Sequence, residues 1–211
     1  MIEFTSGDIL KDDVDAIVNT VNCVGIMGRG IALQFKNAWP ENFKAYEAAC
    51  KREEVQPGRM FVYEVGQLTT PRYIINFPTK SHWRSKSKLS DIRTGLDDLV
   101  RQLKDLSIKS IAVPPLGCGH GGLRWEDVRP VIERAFEQVP DLKVLLYPPA
   151  GAPAAADLPV RTDRPKMNYG RAAVVAVMER YLPFAVDVTA VDVQKLMYFT
   201  QEAGEPLKLD F

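Results

Sequence analysis

The sequence predicts an α/β layered domain with a largely parallel sheet over residues 1–150. Two observations predict it. Short apolar, β-rich runs alternate with amphipathic helical stretches, the pattern of strands joined by helical crossovers. Composition then breaks at Pro148, where PPAGAPAAADLPV is rich in Pro and Ala and carries no apolar periodicity.

The strands read at residues 2–5, 16–19, 60–65, 73–77, 110–114 and 143–147. The helices between them read at 31–38, 42–52, 91–106 and 126–139. A break is expected at Trp39-Pro40, because proline disrupts a continuing helix. Ser90 is the expected N-cap of the third helix, whose Ile92, Leu96, Leu99, Val100 and Leu103 fall on one face. The fourth ends before Pro140. Residues 151–166 read as a semi-rigid linker, and 167–211 as the helical start of a further domain, too short for a comfortable core of its own. Its helices read at 169–181 and 191–203, with Thr189 and Asp192 as a capping pair.

Composition excludes several classes. The chain has 211 residues, 46% of them hydrophobic, and Lys+Arg equals Asp+Glu at 27 each. Any nucleic-acid contact must therefore come from a local patch. The N-terminus lacks a signal-peptide pattern, and no apolar run is long enough for a membrane helix. Cys23, Cys50 and Cys118 lie far apart, without metal-ligand spacing or a disulfide pattern. The expectation is a cytoplasmic protein without metal, organic cofactor or membrane contact.

Three glycine-containing loops follow three of the strands, at the strand ends where ligands bind in such folds. In Ser6-Gly7-Asp8-Ile9 the carboxylate can accept from an exocyclic amine such as adenine N6. It is equally a capped turn. In VNTVNCVGIMGRGIALQF, Asn19 and Asn22 close a strand, and Gly25, Gly28 and Gly30 lead into a helix N-terminus, which favours an anion. The spacing is not that of a dinucleotide fingerprint. In PPLGCGHGGLRW, Gly117, Gly119, Gly121 and Gly122 can form a nest of N–H groups able to hold a pyrophosphate. Two such loops can grip one diphosphate from both sides.

GDI at 7–9, VNxxNxxxxxGxGIA at 18–32 and PxLGCGxGGL at 114–123 resemble the macrodomain signature, and the resemblance covers residues 1–150. It implies a three-layer α/β/α sandwich that binds ADP-ribose. Asp8 and Ile9 would then hold adenine, with Tyr147 beside it or simply in the core. Gly28, Gly30, Ile31 and Ala32 would line one side of the diphosphate. Leu116, Gly117, Cys118, Gly119, His120, Gly121, Gly122 and Leu123 would line the other. Asn22 and Thr79 would lie near the distal ribose.

Within that family, INFPTKSHWR and GCGHGGLRW are similar to the DNA ADP-ribosyl glycohydrolases of the DarG type, antitoxins that remove ADP-ribose placed on thymidine by DarT toxins. The tail DVQKLMYFTQEAGEPL resembles the opening of a helical antitoxin domain, which implies a toxin partner for the C-terminal region. The resemblance makes Lys80 the leading catalytic candidate, as nucleophile or as acid, with Asn22 and His120 beside it. Cys118 reads as a small loop residue rather than a nucleophile. Related lysine-dependent hydrolases carry an aspartate where this chain has Gly121, so a Lys–Asp pair is not expected. The run from Lys80 to Lys88 holds no acid, so Trp83, Arg84, Lys86 and Lys88 are candidates for single-stranded DNA, by stacking and by phosphate pairing. Two other readings stay open: a module that binds ADP-ribose without catalysis, and a hydrolase acting on protein carboxylates or O-acetyl-ADP-ribose.

Overall fold

The computed structural model describes residues 1–66, 70–149, 160–162, 166–185 and 189–210. These fall into two compact units, Met1–Thr162 and Asp163–Phe211. Most of the linker expected at 151–166 lies outside the described residues.

The first unit contains β1 (Ile2–Phe4), β2 (Ala16–Val21), α1 (Gly30–Ala38), α2 (Pro40–Lys51), β3 (Phe61–Glu64) and β4 (Tyr73–Pro78). It continues with α3 (Leu89–Asp105), β5 (Ser110–Val113), α4 (Trp125–Phe136) and β6 (Lys143–Leu146). The six strands form one sheet in the order β1-β6-β5-β2-β4-β3. Every pairing is parallel except that of β3 with β4. This is the mixed, largely parallel sheet expected.

Because side chains alternate along a strand, the sheet makes two cores. Ala16, Val18, Ile75 and Phe77 pack with Ile92, Leu96 and Leu99 of α3 and with Val128 and Ile132 of α4. Ile17, Ile74 and Ala112 pack with Phe35 and Ala38 of α1 and with Trp39. The three-layer expectation holds. A buried polar ladder ties α2 in: Asn19 Nδ2 donates to Asn76 Oδ1 at 2.9 Å, and Asn76 Nδ2 donates to Asn42 Oδ1 at 2.8 Å.

The break expected at Trp39-Pro40 falls at Trp39, and Pro40 itself opens α2 at the first turn, ahead of the expected start at Asn42, where its missing N–H has no partner to lose. Two further expectations at helix ends need correction. The cap of α3 is Lys88 in extended conformation, without a side-chain bond, so Ser90 already lies inside the helix. Helix α4 stops at Phe136, although it tolerates Pro130 in its interior.

Helix α3 lies close against the sheet at Gly95, where a methyl group would overlap the ring of fully buried Phe77. Overpacking of this kind costs about 1–3 kcal/mol, against about 1 kcal/mol gained in helix propensity. Gly95→Ala should therefore lower stability, read as a reduced denaturant midpoint.

The second unit contains α5 (Tyr169–Tyr181) and α6 (Ala190–Glu202). Asn168 caps α5 by accepting from Arg171 N at 2.9 Å. Thr189 and Asp192 form the expected reciprocal box at α6, with Thr189 N donating to Asp192 Oδ2 at 2.9 Å.

Candidate functional site

Strands β6, β5, β2 and β4 are consecutive and parallel, so their carboxyl ends open on one edge of the sheet. The loops leaving those ends enclose a cavity of about 860 Å³. One wall is the segment after β2: Asn22, Ile26, Gly28, Arg29, Gly30, Ile31 and Ala32. The facing wall is the segment after β5, with Gly117, Gly119, His120 and Gly121. Thr79, Lys80, Trp83 and Arg84 come from the segment after β4, Ile9 from the first turn, and Tyr147 from the end of β6. The two glycine loops approach closely, since a side chain begun at Gly30 would lie 3.8 Å from His120 Cδ2.

The adenine-end candidates lie near one another. Asp8 Oδ1 accepts from Leu10 N at 3.1 Å, while its buried Oδ2 accepts no hydrogen bond among the described residues and sits 3.5 Å from Lys11 Nζ. Gly7 and Ile9 on either side of it line the cavity. Tyr147 belongs both to the core and to the cavity wall, and its hydroxyl donates to Asp12 Oδ2 at 2.8 Å. Burial, and to a smaller degree the neighbouring Asp8, pushes the Asp12 carboxyl up despite that bond.

Lys80 follows β4 directly. Thr79 N donates to Val21 O at 3.0 Å, which fixes the departure of the chain from the sheet. Lys80 Nζ donates to the His120 carbonyl at 3.3 Å, and burial pulls its pKa below the ordinary lysine value. Trp83 stays 43% exposed, stacks on His82 at 5.4 Å, and carries the Arg84 guanidinium 4.5 Å from its ring centroid.

Several candidates take other roles. Asn22 lines the cavity, and its amide also shapes the loop. Its Nδ2 donates to Ile26 O at 2.6 Å, and its Oδ1 accepts from Val24 N at 2.9 Å and Tyr46 Oη at 3.2 Å. Leu116 is fully buried in the core, and Leu123 and Cys118 pack against that core, so none of the three forms the cavity wall. Burial pushes the Cys118 thiol up to about 11, which leaves little thiolate. Gly122, Lys86 and Lys88 also lie outside the lining, the last as the α3 cap.

Arg29 and Gln34 line the cavity and were not among the candidates. A signal existed for both. Arg29 stands between Gly28 and Gly30, and Gln34 follows Gly30 by one helical turn, on the same face. The wall thus presents Arg29, Lys80 and Arg84 but, among the described residues, no Asp or Glu. In a chain of zero net charge, that concentrates positive potential where two sets of loop N–H groups already meet.

The Macro domain family model matches residues 18–132, and the chain belongs to that family. A relative from Mycobacterium tuberculosis, named DNA ADP-ribosyl glycohydrolase, is 51% identical over 220 residues and is aligned to all of this chain. The chain spans 62% of that relative's length. The solved macrodomain of Mycobacterium tuberculosis DarG matches 71% of this chain and 99% of its own length, with 59% identity and a TM-score of 0.70. Thermosipho africanus DarTG in complex with ADP-ribose matches 74% of this chain and 44% of its own, with 31% identity and a TM-score of 0.66.

Proposed function

We propose that the cavity binds ADP-ribose and that Lys80 promotes hydrolysis of the bond between its distal ribose and a thymine of single-stranded DNA. The product would be free ADP-ribose and repaired DNA. In this reading the protein is the antitoxin to a DNA ADP-ribosyltransferase of the DarT type, with the C-terminal region as the toxin contact. The observation that carries it is one lysine set into an acid-free cavity between two glycine loops. Such a wall suits a diphosphate and lacks the carboxylate pair of ordinary glycosidases. The Mycobacterium tuberculosis relative is named for removing ADP-ribose from DNA, and the Thermosipho africanus structure holds ADP-ribose, which supports ADP-ribosylated DNA as the substrate class.

Breaking the glycosidic C–N bond sends its electron pair to the base and leaves positive charge on the sugar. The Lys80 ammonium donates a proton to the departing nitrogen, water adds to the anomeric carbon, and the proton released by that water restores the ammonium. Burial lowers the Lys80 pKa from the ordinary lysine value, and this reading assigns the ammonium as the active form. His120 lies on the same wall and orders a ribose or shuttles that proton. The reaction draws on no metal or organic cofactor. Its substrate places it in a bacterial cytoplasm, and among the described residues no helix is long and apolar enough to cross a membrane.

The deciding experiment is incubation with an oligonucleotide ADP-ribosylated at thymidine, following release of free ADP-ribose. Tight ADP-ribose binding without release would favour the module without catalysis. The proton-donor role also fixes a pH dependence. As pH rises through the depressed lysine pKa the donor is lost, so kcat should fall on the alkaline side, with its midpoint below that of a free lysine. A rising alkaline limb would instead make the neutral amine the active form, and borohydride trapping of a lysyl adduct would identify it as the nucleophile.

A further inference from the structure

Ile26 and Trp83 line the same cavity as Lys80 yet are 45% and 43% exposed, and Val24, two residues before Ile26, is 43% exposed. One exposed apolar side chain is ordinary, whereas two that line one cavity suit a binding surface. The surface is also braced. The Asn22 amide pins the backbone at Val24 and Ile26, Cys23 N donates to Ser81 O at 3.1 Å, and Ser87 N donates to Gly121 O at 3.0 Å. Those backbone bonds tie the Trp83 segment to both glycine loops. Trp83 is held further by His82 and Arg84, which gives the segment a flat aromatic–guanidinium plate.

We propose that Ile26 and the Trp83–Arg84 plate form the subsite for the nucleobase joined to the distal ribose. The inference rests on the reading that the ligand is ADP-ribose attached to a base. A base bonded directly to the sugar that Lys80 serves lies beside that amine, and Ile26, Trp83 and Arg84 line the same cavity as Lys80. A flat, uncharged ring fits such a surface, and Arg84 is placed to meet the phosphate that follows it. A protein carboxylate would find no matching apolar need.

The test uses Lys80→Ala protein, so that the complex persists, and three probes: ADP-ribose, thymidine-linked ADP-ribose and the ADP-ribosylated oligonucleotide. Thymidine-linked ADP-ribose should bind more tightly than ADP-ribose. Adding Ile26→Ser should weaken thymidine-linked ADP-ribose about tenfold relative to ADP-ribose, the scale of one base contact. Ile26→Leu should restore the ratio. If Ile26→Ser also loses ADP-ribose itself, Trp83→Ala supplies the same ratio. An unchanged ratio in the serine and alanine variants, or no gain from the base in Lys80→Ala protein, overturns the subsite. If unsubstituted protein gains affinity from the base but releases no ADP-ribose, hydrolysis fails while the subsite stands.

Discussion

Replacing Lys80 by alanine should slow release of ADP-ribose from modified DNA by about 10²–10⁴-fold, the range for loss of a positioned proton donor. Affinity for ADP-ribose should change by no more than a few-fold. The split follows from the geometry. The diphosphate is expected between the glycine loops, whereas Lys80 sits at the end of β4 and points its amine at the His120 carbonyl, 3.3 Å away. Its charge contributes to binding, but Arg29 and Arg84 remain in the same wall. Arginine at position 80 should not rescue turnover, because its guanidinium holds its protons and places them on a longer, planar group. Single-turnover release and calorimetric binding of ADP-ribose give the two readouts. Unchanged turnover in Lys80→Ala would remove the lysine from the chemistry and leave the cavity as a binding site.

The sheet and its two glycine loops were legible because both rest on local signals: short apolar, β-rich runs, and glycines directly after strands. The loop-bracing role of Asn22 and the buried place of Leu116 were not. Asn22 looks like a ligand residue in sequence and lines the cavity, yet its amide also bonds Val24, Ile26 and Tyr46, the last supplied by α2. Leu116 sits within the glycine motif but turns into the core against α3 and α4. Helix starts misled for a related reason. Lys88 offers no capping side chain, and the chain is already fixed there by the bond from Ser87 N to Gly121 O, a contact between segments far apart in sequence.

That same contact makes Gly121 the second sensitive position. The family resemblance implies only that related lysine-dependent hydrolases carry aspartate there. In the structure the reason is space: a methyl group at Gly121 would overlap Ser87 Oγ and the Gly117 carbonyl oxygen. Ser87 is buried, and its hydroxyl has no hydrogen-bond partner among the described residues, so it can rotate, but the Gly117 backbone cannot withdraw without moving the loop. Gly121→Ala should therefore displace the wall that holds Gly119 and His120. ADP-ribose affinity should fall at least tenfold, and stability by about 1–3 kcal/mol, as for other overpacked sites. Gly121→Asp should be worse, since it also sets a carboxylate where a diphosphate is expected. Gly119→Ala is the matched control for stability, because nothing lies within 4 Å of a side chain begun there. Removing the hydroxymethyl group with Ser87→Gly in the Gly121→Ala background relieves one overlap and leaves the other, so recovery should be partial. Denaturation midpoints with calorimetric Kd values decide it: a Gly121→Ala protein as stable and as tight-binding as the parent would show that this loop yields, and a Lys–Asp pair would then be one substitution away.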